Sequence, residues 1–126
     1  MLKTQIKFTE EFGRGIYADQ EIKAGQWIEC AEVLALNDQD TVMINNTALK
    51  CYTFKFGDNS DCLVLGNGEL YNHSDNPNVS YSLIHINGRS QMVFRAVKDI
   101  KKNEQLFIDY NEDGQTNVNY CVNLFK

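Results

Sequence analysis

Apolar residues return along the chain in short runs that alternate with polar ones, each bounded by Gly, Asn or Asp, and no window sustains an apolar stripe at helical spacing. Period-two alternation rich in β-branched and aromatic residues predicts strands, so the fold class reads as mostly β. Ile6 and Phe8 alternate with polar neighbours, and residues 27–36 form a strand-like run. Residues 49–56 also alternate, which predicts a strand with Leu49, Cys51, Thr53 and Lys55 on one face and Tyr52, Phe54 and Phe56 on the other. Gly57 to Asp61 should turn the chain into a short apolar run at 62–65. Residues 79–86 and 89–97 flank Asn87-Gly88, a pair that supplies φ > 0 at both turn positions and predicts an antiparallel hairpin. Glu69-Leu70-Tyr71, after Gly68, predicts one helical turn.

One pattern occurs twice. Residues 18–28 match residues 96–106: an Ala, an acid, Ile, Lys, a residue that accepts left-handed backbone (Gly25 or Asn103), then an apolar strand. Two copies are too few for a solenoid, so the echo reads as one strand-turn-strand solution used in each half of the domain. Beyond Asn111 the signals weaken. Asp113-Gly114 marks a turn, and Val118, Tyr120, Val122, Leu124 and Phe125 should dock as a strand or a short helix.

Length and composition narrow the class. The 126 residues, 43% of them apolar, suit a single domain over 1–126, because one core typically serves roughly 100–150 residues. Twelve basic against 17 acidic residues give a net charge of −5, which opposes a direct hold on nucleic acid and favours a basic partner. No secretory signal or membrane-length apolar run is visible, so an intracellular, soluble protein is expected. Cys30, Cys51, Cys62 and Cys121 lie far apart without zinc-ligand spacing, and a thiol metal site built from the first three with His73 fails on that spacing. Reduced thiols and no metal are therefore expected.

Three segments could carry chemistry. Gly13-Arg14-Gly15 puts two glycines at the mouth of a strand, where backbone approaches a ligand or simply turns. Asn72-His73-Ser74-Asp75-Asn76-Pro77-Asn78 is a polar loop pinned between apolar stretches, so its groups must be satisfied internally. Glu104 to Tyr110 is an apolar strand ending in Asp109-Tyr110. In this order the three resemble the SET-domain protein lysine methyltransferases, whose sequences carry a Gly-x-Gly turn, an Asn-His-Ser-x-x-Pro-Asn loop and a Glu-x-Leu-x-x-Asp-Tyr strand end. The middle motif is complete, and the last is present as Glu104, Leu106, Asp109 and Tyr110 with Gln105 where Glu is usual. The likeness covers about residues 5–110, with 111–126 left as a short tail, and is greatest to compact viral and bacterial members. Two features of larger members are missing: Cys30-Ala31-Glu32 stands where a Tyr-x-Gly motif is common, and no Cys-rich zinc cluster follows Tyr110.

The resemblance implies a β-clip-like fold of several small antiparallel sheets, with a pseudoknot-like crossing of the C-terminal segment beneath the Asn-His loop. It implies transfer of a methyl group from S-adenosylmethionine, leaving S-adenosylhomocysteine, to the ε-amine of a lysine in a protein, for example a basic histone-like tail. Gly13, Arg14, Gly15, Asn72, His73 and Tyr110 would contact the cofactor, and Tyr110, Tyr52 and Tyr81 would line the lysine channel, with Tyr110 catalytic. Asp38, Asp40, Asp58 and Asp61 could steer a basic peptide. A homodimer would cover apolar surface that larger relatives bury with flanking domains. The competing expectation is a peptide-binding module that keeps the scaffold without turnover.

Overall fold

A computed structural model describes residues 3–57 and 59–112. Asp58, Cys121, the Asp113-Gly114 turn and the apolar tail therefore lie outside the described residues. Among the described residues nine strands form two sheets: β1 (Thr4–Thr9), β2 (Gly13–Ala18), β3 (Trp27–Ala35), β4 (Phe54–Lys55), β5 (Asp61–Val64), β6 (Asn72–His73), β7 (Val79–Ile86), β8 (Arg89–Ala96) and β9 (Gln105–Ile108). One sheet has the order β1-β2-β9-β6, the other β4-β5-β3-β8-β7. Every pairing is antiparallel except β6 with β9, which run parallel.

The hairpin forms at the expected turn, with Asn87 at φ 52° and Gly88 at φ 78° joining β7 to β8 in unbroken register. The sequence echo becomes a local two-fold. Ile22 and Ile100 exchange N–H···O bonds of 2.9 and 2.7 Å, Gly25 N–H donates to Ala96 O (2.7 Å), and Asn103 N–H donates to Ala18 O (2.8 Å). Ala18 and Ala96 in turn donate to Glu104 O and Gln26 O at 2.8 and 2.9 Å, so each half caps the strand end of the other. Gly25 and Asn103 both have left-handed backbone, φ 89° and 75°. The buried core gathers around this junction: Ile16, Ile22, Ile100, Leu106 and Phe94 have no accessible surface, and each such aliphatic or aromatic side chain contributes about 1.5–3 kcal/mol by leaving water.

Two local expectations are corrected. Residues 49–56 do not form one strand: Ala48–Tyr52 is a 3-10 turn capped by the Thr47 hydroxyl, which accepts from Leu49 N–H, and only Phe54–Lys55 pairs in β4. The cap and the Thr53 Oγ1 bond to Asp61 Oδ2 (2.9 Å) outweigh the alternation. A helix that the pattern did not show, α1 (Asp38–Ile44), starts at Asn37, whose Oδ1 accepts from Asp40 N–H at 2.7 Å. It buries only Thr41 and leaves Val42 and Met43 about 60% exposed (63% and 62%), so no apolar stripe announces it. The thiol expectation is also corrected at one position. Cys30 and Cys62 are free, but Cys51 is disulfide-bonded. It sits on the half-exposed 3-10 turn and not inside a strand, so it is no core hydrophobe.

Candidate active site

The Asn-His loop and the strand end are held together by backbone groups. Pairing of β6 with β9 sets Asn72 opposite Phe107 and His73 opposite Ile108, and Ser74 N–H extends the ladder to Ile108 O (2.9 Å). At the far end of the loop, Asn78 Nδ2 donates to Gln105 O (2.9 Å), its Oδ1 accepts from Phe107 N–H (2.8 Å), and its carbonyl accepts from Val97 N–H (2.9 Å). The loop thus grips β9 from both ends and brings residues distant in sequence to one place. This is the close crossing of the two segments that the resemblance implied.

His73 braces the crossing. Its Nδ1 accepts from Tyr110 N–H at 3.0 Å, which puts the ring proton on Nε2, and Nε2 donates to Asp75 Oδ1 at 2.8 Å. His73, Asp75 and Asp109 bring donor atoms within 4.8 Å of one another. Both ring nitrogens are nevertheless engaged, so these contacts orient the loop and the backbone that carries Tyr110.

A cleft of about 180 Å³ opens beside the crossing. Gly13, Arg14, Tyr52, Asn72 and Tyr110 line it. Gly13 takes φ 68°, a conformation that glycine adopts without penalty. Gly15 is buried and does not line the cleft: a Cβ there would meet Gln105 Oε1 at 2.5 Å and Asn72 Nδ2 at 2.8 Å. That close approach lets the Asn72 amide donate to Arg14 O (2.9 Å) and Gln105 Oε1 (2.7 Å), tying β2, β6 and β9 together. Arg14 itself reaches out, and its Nη2 donates to the Tyr52 hydroxyl at 3.3 Å.

Tyr110 has its hydroxyl fixed by donation to Tyr71 O at 2.9 Å. Burial, with Tyr52 nearby, pushes the phenol well above the ordinary tyrosine range. It stays neutral, its proton committed to a carbonyl and its oxygen left as an acceptor. Tyr81 stands off the cleft wall: its ring packs edge-on against Phe54 at 4.9 Å, and its hydroxyl points to Asp109 O at 3.5 Å. Of the acidic residues expected to steer a peptide, Asp38 and Asp40 are exposed on α1. Asp61 is corrected: only 5% exposed, it accepts from Thr53 and pairs with Lys55 (3.3 Å), so it closes the β4–β5 turn.

Glu69 and two phenylalanines were not singled out from the sequence as site residues. Phe8, Phe12 and Glu69 all line the cleft. Phe8 is 75% exposed on β1, and Ile6, two residues before it, is exposed on the same face. The signal for Glu69 was an acid inside the apolar stretch that leads to Asn72.

The architecture and the motifs have close counterparts. The family model described as SET domain matches residues 13–111. A Schizosaccharomyces pombe histone-lysine N-methyltransferase, H3 lysine-37 specific, is 31% identical over 109 residues, covering 86% of this chain and 73% of that protein. The zebrafish (Danio rerio) N-lysine methyltransferase KMT5A-A is 25% identical, and its match spans 90% of this chain but 36% of its own length. Among solved structures, a Plasmodium falciparum protein described as a histone methyltransferase superposes with a TM-score of 0.71 at 28% identity, over 89% of this chain and 96% of that one. The S-adenosylmethionine-bound Polycomb Repressive Complex 2 of Chaetomium thermophilum shares the fold at TM-score 0.74 and 20% identity, over 95% of this chain and 16% of that one. With its Gly-x-Gly wall, Asn-His loop and Asp-Tyr strand end meeting at one cleft, the chain belongs to the SET-domain family of protein-lysine methyltransferases.

Proposed function

We propose that this chain transfers a methyl group from S-adenosylmethionine to the ε-amine of a lysine in a basic, histone-like protein segment, at the cleft between Gly13-Arg14 and Tyr110. The observation that carries this reading is the Tyr110 hydroxyl, fixed to Tyr71 O at 2.9 Å on a residue that lines the cleft together with Asn72.

The residues fit the cofactor. The left-handed Gly13 presents backbone to the cleft, Asn72 has its two amide hydrogens committed to Arg14 O and Gln105 Oε1 and keeps its Oδ1 as an acceptor, and Arg14 supplies a cation for a carboxylate. When bound, the cofactor supplies an electrophilic methyl group on a sulfonium. What the protein must contribute is position, since near-attack alignment can account for roughly 7–11 kcal/mol of a barrier. The amine must also arrive neutral, which for a free lysine at pH 7 costs about 4–5 kcal/mol. Tyr110 cannot take that proton, because its own is held by Tyr71 O. It can accept a hydrogen bond from the neutral amine and aim the nitrogen lone pair along the channel. Tyr52, steadied by Arg14, offers an aromatic wall suited to an alkylated ammonium. His73 acts through the backbone it braces, and Gly15 through the amide it admits. Tyr81 supports the Asp109-Tyr110 backbone from behind.

Incubation with methyl-labelled cofactor and core histones tests this reading. Label should appear in lysine, with a mass increase on tryptic peptides, and not in matched peptides carrying arginine at the modified site. Cofactor binding without transfer to any lysine-containing histone or peptide array would favour a binding module. A homodimer would cover the half-exposed Leu34 and Leu65, and sedimentation equilibrium measures it.

A further inference from the structure

Glu69 is the middle residue of a 3-10 turn, Gly68–Leu70, that the fold presses against the cleft. Gly68 is buried, and a Cβ there would meet Val64 Cγ1 at 2.7 Å, so the turn can sit directly on β5. Its Oε1 accepts from Val64 N–H at 2.5 Å, which fixes the carboxyl group. Among the described residues no cation forms an ion pair with it. The surrounding elements offer little compensation. Glu29 on β3 adds repulsion, although its own oxygens are taken up by Tyr71 OH (3.1 Å) and Asn67 N–H (2.8 Å). Cys62 on β5 is a buried thiol pushed up to about 12 by burial, Glu69 and Asp61. Arg14 on β2 and the phenols of Tyr52 and Tyr110 complete the ring of groups on the cleft. Burial first, then Glu29, raises the Glu69 carboxyl to about 7 against the opposing bond from Val64 N–H.

A carboxyl group held in place, half-desolvated and without a cation is a site prepared for an incoming positive charge. The cofactor proposed above ends in an α-ammonium and an α-carboxylate beside a sulfonium. Arg14 and Glu69, of opposite sign on the walls of one cleft, match that pair of charges. We propose that Glu69 is the anionic contact for the ammonium of the cofactor's amino-acid end. This rests on the methyl-transfer reading. Only the ionised carboxylate makes the contact, so binding below neutrality expels a proton from Glu69 to solvent.

Cofactor affinity measured by calorimetry tests the contact. From pH 6 to pH 7.5 the wild type should tighten about eightfold, following the ionised fraction of a group that titrates near 7, and at pH 6.5 binding should release a proton fraction seen in buffers of different ionisation enthalpy. Glu69→Gln keeps an oxygen for Val64 N–H, so it should fold, yet bind at least tenfold more weakly with no such release. Methylthioadenosine, which carries the nucleoside without the amino-acid end, should bind both proteins equally. PH-independent wild-type binding, or equal loss of both ligands in Glu69→Gln, would overturn the contact while leaving methyl transfer standing. Wild-type protein that binds no cofactor at any pH would overturn the methyl-transfer reading and the contact with it.

Discussion

Tyr110 and Glu69 share a cleft but have opposite relations to their protons. The phenol gives its proton to Tyr71 O and stays neutral, so it can only accept and orient. The carboxyl at Glu69 is held to about 7 by burial, so its charge depends on what is bound and on pH. That difference has a stability consequence. A carboxyl with a raised folded-state value binds a proton in the folded chain that the unfolded chain has already lost, over the range from 4.5 to about 7. Glu69 therefore favours the folded state below that range, and its contribution is lost as pH rises through it. Urea midpoints of the cofactor-free protein should fall between pH 5 and pH 7.5 by more than those of Glu69→Gln. An equal or larger fall in the variant would show that other groups carry the dependence. The motif glycines divide similarly. Gly13 opens a wall, whereas Gly15 is required because Asn72 and Gln105 occupy the space of its Cβ. Spacing alone could not tell the two roles apart.

At the scale of elements, the grip of the Asn-His loop on β9 is what makes a site. Asn78 satisfies Gln105 O and Phe107 N–H at once, both half-buried, so Asn78→Ala should cost about 2–4 kcal/mol by leaving two backbone groups unpaired. Asn78→Asp keeps the acceptor and should lose less; denaturant unfolding followed by tyrosine fluorescence measures both. What was legible in sequence depended on where the signal lived. The β7–β8 hairpin was legible because Asn87-Gly88 fixes a turn by local sterics. The Gly25 and Asn103 turns were legible because two copies point to the same backbone requirement. The 3-10 turn at Ala48–Tyr52 was not, since a hydroxyl cap and a tertiary bond to Asp61 override alternating side chains. Helix α1 was hidden because a seven-residue helix that buries one threonine has no periodicity to show.

Across the whole molecule, the motifs named the family and pointed to Gly13, Arg14, Asn72 and Tyr110 among the residues that line the cleft, while pairings named its architecture. Composition suggested only a small acidic domain; no pattern of period two predicts that β6 runs parallel to β9 while the other pairings among the described residues are antiparallel. Of the acidic residues expected to steer a basic segment, Asp61 is buried and paired, whereas Asp38 and Asp40 on α1 are exposed. Among the described residues no helix is long and apolar enough to cross a membrane. The central claim is that one cleft on this chain both holds the cofactor and directs its methyl group to lysine through Tyr110. Comparing Tyr110→Phe with the wild type, by cofactor affinity and by labelled methyl transfer to a lysine peptide, tests it most directly. Affinity should stay within about threefold while the transfer rate falls at least a hundredfold, the scale expected when a positioned hydrogen-bonding group is lost from the reacting centre. Undiminished transfer by Tyr110→Phe would contradict it.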